Sequence, residues 1–290
     1  MPKIDHHITL PDGRRLSFAE FGDPDGIPVL YFHGCPSSRL EPMLIGDSVL
    51  ASANLRVVAL DRPGMGLSSF QAKRGFSAWP GDVSALADAL GLVRFAVWGF
   101  SGGGPYAAVC AAKIPERLTN VVIVSGAWRM DEPDVLRGMP LPNRIMLLCA
   151  RRIPSLLGLL FRAMAGMGQG EPTKELAKMK TYTTAPDYAW FEKEPRRFSL
   201  LGEIAREGVR TGTRGAVWDM RLYSKAFDFQ LSDIRHPLTW FHGEDDVNYP
   251  IGAARRVCRG IPQVRLVACA HEAHLSLSSN RLLEVAEALR

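Results

Sequence analysis

Cysteine is scarce in this chain, and its placement argues against a disulfide framework. The 290 residues contain five cysteines, an odd number, at positions 35, 110, 149, 258 and 269. They are widely spaced and form no Cys-x-x-Cys pair, which excludes the common structural zinc sites and dithiol redox motifs. A reduced, cytoplasmic protein without structural disulfides or a bound metal is therefore expected.

Long apolar runs are also missing. The N-terminal stretch MPKIDHHITLPDG lacks the apolar core of a secretory signal. The most apolar segment, residues 153–168, is interrupted by Arg162 and is too short to cross a bilayer. We expect neither a signal peptide nor a membrane-spanning helix.

Basic residues outnumber acidic ones, but no nucleic-acid motif accompanies them. The formal net charge is +5. Short basic groups, such as Arg151 with Arg152 and Lys174 with Lys178 and Lys180, are not interleaved with aromatic residues that could stack on bases. Such groups are typical of solvated faces, so no nucleic-acid partner is expected.

The chain does contain short apolar runs that alternate with amphipathic helical stretches. These runs cover residues 55–61, 94–100, 120–126, 237–243 and 263–269. Alternation of this kind indicates a parallel sheet covered by helices on both faces. The first 34 residues add further predicted strands, joined by the turns PDG and DPDG.

Residues 129–230 break this rhythm. They contain no convincing strand, whereas RIMLLCARR, LLGLLFRAMAG and TKELAKMK predict helices. We predict a helical cap over residues 129–230, inserted into a core of residues 1–128 and 231–290, at the sheet edge where α/β folds bind ligands. Seven of the ten methionines lie in this segment. They either pack the helices together or form an adaptable apolar wall for a substrate.

The stretch VWGFSGGGPY places one serine among four glycines where a strand meets a helix. Residues 94–100 predict the strand and residues 105–114 the helix, so Ser101 lies on a sharp turn. Gly99 and Gly103 stand two residues before and after it, where larger side chains would collide. The turn exposes the hydroxyl and directs the positive end of the next helix toward it. The pattern predicts a nucleophile, although glycine clusters also mark plain turns.

A serine nucleophile needs a base, and the base needs an orienting acid. The loop after the last predicted strand, CAHEAHLSL, offers His271 and His274. The loop after the preceding strand, FHGEDDVNYP, offers Glu244, Asp245 and Asp246. Both loops leave the same edge of the sheet as the serine, in the chain order serine, acid, histidine.

Together these segments resemble a serine hydrolase of the α/β-hydrolase fold superfamily over nearly the whole chain. The matching pieces are FHGCP, DRPGMGLSS, GFSGGG, HGEDDVNYP and HEAHLSL. The resemblance implies an α/β fold with a mostly parallel, doubly wound sheet and an inserted helical cap. It implies that the acid is Asp246, fourth in a G-x-x-D motif, and that the base is His274, before an apolar-small-apolar run. The family usually has glycine where this chain has Ala273, so His271 stays an alternative base. Asp245, next to Asp246, stays an alternative acid.

The same resemblance implies an oxyanion hole made of the backbone N–H groups of Cys35 and Gly102. Fixed donors at such a place stabilise the negative charge that develops on a carbonyl oxygen, by roughly 3 kcal/mol each. The Cys35 thiol is incidental to this contact. In DRPGMG, Asp61 and Arg62 are predicted to hold a loop rather than to react.

We therefore expect a cofactor-independent hydrolase that cleaves short to medium apolar carboxylic esters through an acyl-enzyme on Ser101. Because a fold does not fix chemistry, the same side chains can also serve C–C bond, lactone or amide hydrolysis, or a cofactor-free lyase or perhydrolase reaction. A non-catalytic ligand receptor on the same fold is a further alternative, which a complete set of nucleophile, base and acid argues against. The sequence does not indicate an oligomeric state.

Overall fold

An eight-stranded sheet forms the centre of the molecule. The computed structural model describes residues 3–166 and 168–290. The strands are β1 (Lys3–Thr9), β2 (Arg15–Gly22), β3 (Ile27–Phe32), β4 (Leu55–Leu60), β5 (Phe95–Phe100), β6 (Leu118–Val124), β7 (Leu238–Gly243) and β8 (Val264–Cys269). Their order is β1-β2-β4-β3-β5-β6-β7-β8. The β1–β2 and β2–β4 pairs are antiparallel and the others are parallel, which confirms the predicted, mostly parallel sheet.

Helices cover both faces of this sheet. Those outside the segment between β6 and β7 are α1 (Asp47–Ser52), α2 (Trp79–Ala89), α3 (Gly104–Lys113), α11 (Ile251–Arg259), α12 (Ser276–Asn280) and α13 (Leu282–Leu289). Successive residues of a strand point to opposite faces. In β3, Leu30 and Phe32 therefore belong to the apolar cluster of α2, α3 and α11, whereas Val29 and Tyr31 belong to the cluster of α1 and α13. The sheet is doubly wound, as predicted.

Among the residues that the structure describes, seven α-helices lie between β6 and β7. They are α4 (Pro133–Gly138), α5 (Leu141–Arg152), α6 (Pro154–Ala165), α7 (Pro172–Met179), α8 (Ala185–Lys193), α9 (Arg196–Gly208) and α10 (Arg214–Tyr223). The sequence predicted α5, α6 and α7 but not the other four. The largest apolar cluster runs from the sheet into α5, α6 and α10, so the inserted helices share a core with the sheet. The division into a core and a cap remains a prediction.

Short 3-10 helices complete the connections. They cover Glu41–Leu44, Phe76–Ala78, Ser101–Gly103, Pro115–Arg117 and Leu231–Asp233. Because β3, β5, β7 and β8 run parallel, the loops that follow them leave the same edge of the sheet. These loops begin after Phe32, Phe100, Gly243 and Cys269, and they carry the predicted site residues except Gly99, which lies in β5.

The turn between β5 and α3 brings two stretches of backbone unusually close together. A Cβ on Gly103 would fall on the carbonyl oxygen of Phe32 in β3, and a Cβ on Gly99 would lie 2.6 Å from the carbonyl oxygen of Gly103. A backbone oxygen cannot move aside as a flexible side chain can. Glycine is therefore the residue that fits at both positions.

We expect Gly103→Ala to lower the free energy of unfolding by about 3 kcal/mol or more, because the added methyl group overlaps the β3 backbone. Gly81→Ala is the matched control, since Gly81 lies exposed in α2 with nothing within 4 Å of the added carbon. Alanine there should raise stability by about 0.5–1 kcal/mol. Urea unfolding of both variants checks this. Equal stability of Gly103→Ala and the wild type would contradict the steric argument.

Candidate active site

Ser101 stands on a strained turn at the end of β5. Its φ of 49° lies in the left-handed region that residues other than glycine rarely adopt. The residue before it ends the strand, and α3 begins three residues after it, at Gly104. Its carbonyl oxygen accepts the backbone N–H of Ala127 at 2.9 Å, which holds the turn in place. A non-glycine residue kept in this conformation is typical of functional sites.

The structure brings three of the predicted side chains into one hydrogen-bonded series. His274 Nε2 lies 2.9 Å from Ser101 Oγ, and His274 Nδ1 lies 2.9 Å from Asp246 Oδ2. Asp246 is buried, and so is most of His274. The two imidazole nitrogens can therefore serve a hydroxyl on one side and a carboxylate on the other.

Asp246 is fixed by further donors. Its Oδ1 accepts the backbone N–H groups of Asn248 at 2.8 Å and Tyr249 at 3.2 Å. His242 lies 3.6 Å from Oδ2 but donates its Nε2 proton to the Tyr249 carbonyl, and burial lowers the pKa of His242, which keeps it neutral. With its free oxygen aimed at His274, the carboxylate has one orientation that satisfies all its partners.

The two alternative site residues lie elsewhere. Asp245 and His271 are both exposed. Within the described part of the chain, neither side chain makes a hydrogen bond to Ser101, to Asp246 or to His274. The geometry thus favours the pair Asp246 and His274 over these alternatives.

The charges around His274 favour its protonated form. Burial opposes that form, but attraction to Asp246 and the hydrogen bond to it outweigh burial, so the pKa of His274 is raised. Burial also acts to raise the pKa of Asp246, yet attraction to His274 and the hydrogen bonds prevail and the pKa is lowered. An ionised carboxylate beside a proton-accepting imidazole is what a general base requires.

Asp187 in α8 is a buried carboxylate that the sequence analysis missed. Its Oδ1 accepts the backbone N–H groups of Leu275 and Ser276, both at 2.9 Å. These residues directly follow His274, so the carboxylate fixes the backbone that carries the imidazole. Its charge also helps to raise the pKa of His274. No local pattern marks this aspartate in the sequence, because its partners lie almost ninety residues away.

The orientation of the N–H groups of Cys35 and Gly102 is fixed by hydrogen bonds to the carbonyl groups of the same peptide units. The Gly34 carbonyl accepts from Arg62 Nη2 at 2.9 Å and from His33 Nδ1 at 2.7 Å. In a trans peptide the N–H points away from the carbonyl, so these two donors turn the Cys35 N–H to the opposite side. The Ala127 contact of the Ser101 carbonyl does the same for Gly102. Both residues line the same cavity.

Glu41 holds the loop that contains Cys35. Its carboxylate accepts the Gly34 N–H at 2.8 Å, the Ser37 hydroxyl at 2.7 Å and the Tyr31 hydroxyl at 2.8 Å. Burial raises the pKa of Glu41. With three donors around it, the carboxylate is satisfied, and the loop has little freedom to move.

A buried ion cluster connects the inserted helices to this loop. Asp219 of α10 accepts Arg62 Nε at 2.7 Å, the Tyr106 hydroxyl at 2.6 Å and a contact from Arg74. Burial opposes its charge, but the two guanidinium groups lower the pKa of Asp219 to about 2. Tyr223, also in α10, donates to the Gly102 carbonyl at 2.9 Å. Arg62 thus holds a loop, as predicted, and α10 completes its contacts.

Asp61, the other residue predicted to hold a loop, makes a separate set of contacts. Its carboxylate accepts the Arg39 backbone N–H at 2.7 Å, the Leu67 backbone N–H at 3.0 Å and the Arg39 guanidinium at 2.9 Å. These bonds join the chain after β4 to the chain after β3. No bond from Asp61 reaches Ser101 within the described residues.

The cavity in front of Ser101 is mainly apolar. Its volume is about 310 Å³. Four methionines line it, namely Met130, Met146, Met164 and Met220. Other apolar side chains in the lining are Leu147, Phe161, Leu201 and Leu275. Its polar lining includes Glu41, Asp187, Asn143 and Asn248. Among the described residues, no group of three or more His, Cys, Asp or Glu side chains is arranged to hold a metal.

Comparison with known sequences identifies the family. The family model described as alpha/beta hydrolase fold matches residues 27–280. The chain is 36% identical over 124 residues to a non-heme chloroperoxidase from Streptomyces lividans, an alignment that spans 41% of this chain and 43% of that protein. It is 26% identical over 120 residues to a proline iminopeptidase from Neisseria gonorrhoeae, spanning 40% and 38%. The matches therefore span less than half the length of these curated relatives.

Solved structures resemble the whole fold. A thermophilic esterase from Thermogutta terrifontis gives a TM-score of 0.65 at 21% identity, covering 99% of this chain and 96% of that one. The enol-lactonase from Burkholderia xenovorans gives 0.68 at 20% identity, covering 97% of each chain. At these identities the likeness concerns the fold alone. Because the family model spans most of the 290 residues, the chain belongs to the alpha/beta hydrolase fold family.

Proposed function

We propose that this protein is a serine hydrolase that cleaves carboxylic esters through an acyl-enzyme on Ser101. The observation that carries the proposal is the series of hydrogen bonds from Asp246 through His274 to Ser101, at 2.9 Å each. A binding protein has no need of an aligned base behind a hydroxyl that lines a cavity. The series opens into a cavity large enough for a small acyl or alcohol group.

The reaction follows from the positions of these groups. His274 Nε2 takes the hydroxyl proton of Ser101 as Oγ attacks the ester carbonyl, and the oxyanion accepts the N–H groups of Cys35 and Gly102. His274 then gives the proton to the departing alcohol. A water molecule hydrolyses the acyl-enzyme with the same base, and Asp246 holds the imidazole tautomer and stabilises its cation.

The inserted helices act, in this proposal, as a cap that selects the substrate. Met146 of α5 and Met164 of α6 face the cavity, and methionine adapts to apolar groups of different shape. Glu41 and Asp187 add negative charge to the lining, so anionic substrates are disfavoured. Short to medium apolar esters are the substrates that this lining supports best.

A substrate panel decides between esters and the other reactions open to this fold. It compares kcat/KM for activated esters, lactones, amides and β-diketones, with perhydrolysis measured in peroxide. We expect the esters to react fastest. A higher kcat/KM for an amide or a β-diketone would assign the same residues to another reaction.

Replacement of the nucleophile gives the first prediction for the site. Ser101→Ala should lower kcat for p-nitrophenyl acetate on the order of 10⁴-fold or more, because Ser101 supplies the hydroxyl that is hydrogen-bonded to His274 Nε2. Circular dichroism and thermal unfolding should stay as in the wild type. A variant that keeps more than a tenth of the wild-type kcat would remove Ser101 from the mechanism.

The second prediction for the site concerns the pH dependence of the reaction. Only neutral His274 accepts a proton, so kcat/KM should rise with pH through the pKa of His274, at a midpoint above the ordinary value of 6.5 because that pKa is raised. Asp187→Asn keeps an acceptor for Leu275 and Ser276 but removes a negative charge. The midpoint should therefore move to lower pH.

Asp245→Asn is the matched control for that shift, since Asp245 is an exposed acid on the loop that carries Asp246. Its midpoint should coincide with that of the wild type. The pH profile separates a charge effect from a loss of stability, which would lower the rate at every pH. An unmoved midpoint in Asp187→Asn would show that this carboxylate acts only on the backbone.

The third prediction concerns the cap residues that line the cavity. Met146→Ala and Met164→Ala enlarge the cavity, so kcat/KM should shift toward longer acyl chains by about tenfold between acetate and decanoate esters. Met179→Ala is the control, because Met179 belongs to α7 but does not line the cavity. Acetate should remain a substrate of all three variants. Unchanged ratios in both lining variants would contradict the role of the cap.

A further inference from the structure

The excess positive charge of the chain is concentrated in one segment. Residues 135–170 contain five arginines and no lysine, aspartate or glutamate. The whole chain has 35 basic and 30 acidic residues, so thirty of each sign lie outside the segment. The net charge of +5 is therefore the charge of α5, α6 and the residues next to them.

The same segment exposes large apolar side chains. Six of the twelve that the described residues leave exposed lie between positions 141 and 159: Leu141, Ile145, Leu148, Ile153, Leu156 and Leu159. Leu148 is 57% exposed and Leu159 is 62% exposed. In α5 they recur at intervals of four and three residues, which puts them on one side of the helix. We call these six side chains the α5–α6 surface.

The six side chains of the α5–α6 surface lie outside the apolar clusters of the interior. The opposite sides of the two helices are buried: Leu147 in α5, and Leu157 and Phe161 in α6, belong to the large apolar cluster that reaches the sheet. Met146 and Met164 line the cavity in front of Ser101. Both helices thus bury one apolar side and leave a second apolar side in solvent. Internal packing does not account for the second side.

The arginines of the segment alternate with these apolar side chains along the chain and add positive charge to it. Arg137, Arg144, Arg151, Arg152 and Arg162 are all exposed, and none forms an ion pair within the described residues. Arg144 donates only to backbone carbonyl groups. The nearest acids along the chain are already engaged, since Asp131 pairs with Arg129 while Glu132 and Asp134 pair with Arg256.

A second copy of the chain is a poor match for this surface. A two-fold symmetric dimer places the same patch of both copies face to face, which would bring ten arginines together with no acid in the patch to pair with them. An anionic bilayer supplies both missing partners: phosphate groups for the arginines and an apolar layer for the leucines and isoleucines. Neither helix needs to cross it.

We propose that the α5–α6 surface docks the protein on anionic lipid bilayers, with α5 and α6 lying in the plane of the interface. Each helix has 12 residues and is about 18 Å long, which suits an interfacial position. No helix in the described part of the chain is long and apolar enough to span a membrane. The docking does not depend on the proposed ester hydrolysis.

Vesicle flotation tests the proposal, with Ser101→Ala protein used throughout so that lipid hydrolysis cannot affect the result. Ser101→Ala protein with no other substitution should bind vesicles of equal parts phosphatidylglycerol and phosphatidylcholine. It should not bind vesicles of phosphatidylcholine alone. Raising the salt from about 0.1 M to about 0.5 M should weaken binding, because the arginine contacts are screened. Absence of binding to the anionic vesicles would overturn the proposal.

Two pairs of substitutions then distinguish binding through this surface from non-specific adsorption to vesicles. Ile145→Glu with Leu148→Glu should lower the vesicle-bound fraction about tenfold or more, and Arg151→Gln with Arg152→Gln should lower it by a similar factor. The matched control is Val93→Glu with Leu283→Glu, since both residues are 79% exposed outside the segment. It should bind as before, and an equal loss in the control would refute the assignment.

Light scattering over a range of protein concentrations tests the rival occupant. We expect no dimer that Ile145→Glu with Leu148→Glu abolishes. A dimer that this variant dissociates, with no vesicle binding by the parent protein, would assign the surface to contacts between copies. Because all the variants carry Ser101→Ala, these outcomes stand apart from success or failure of the ester hydrolase proposal.

Discussion

The carboxylate of Asp219 is the contact on which the shape of the site depends. It is buried between the guanidinium groups of Arg62 and Arg74, which would otherwise lie together in the interior without an anion. Removing one partner of such a cluster costs about 3–5 kcal/mol, because it leaves an uncompensated buried charge. Arg62 in turn holds the Gly34 carbonyl. The inserted helix α10 is thereby tied to the peptide unit that directs the Cys35 N–H.

Two carboxylates and two guanidinium groups lie near different parts of the candidate site. The carboxylates of Asp246 and Asp187 favour the protonated form of His274, whereas Arg62 binds the Gly34 carbonyl, next to one of the two proposed backbone donors, and Arg74 pairs with Asp219. A base that gains a proton needs negative charge near it, and an oxygen that gains negative charge needs donors and positive charge near it. In the proposed mechanism, these fixed charges would favour proton transfer to His274 and attack on a carbonyl group.

Local patterns in the sequence predicted the sheet, its winding and the turn at Ser101, because apolar runs and glycine spacing act over a few residues. They did not predict α4, α8, α9 and α10: α8 lacks a clear apolar repeat, whereas α9 and α10 were missed although their apolar residues recur at helical spacing. Asp187 and Asp219 were missed for a related reason: each acts on partners more than eighty residues away. The choice of His274 over His271 also needed a resemblance, since only the three-dimensional structure separates a buried imidazole from an exposed one three residues before it.

The inserted helices show how one stretch of sequence can serve two surfaces. An apolar run such as LLGLLF in α6 predicts burial, and one side of the helix is indeed buried through Leu157 and Phe161. The other side stays in solvent through Leu156 and Leu159. A helix that is apolar all round is normally covered all round, so an uncovered side needs its own explanation. In this chain the segment that leaves an apolar side uncovered also contains the five arginines that account for the excess positive charge, so both properties belong to one stretch of the chain.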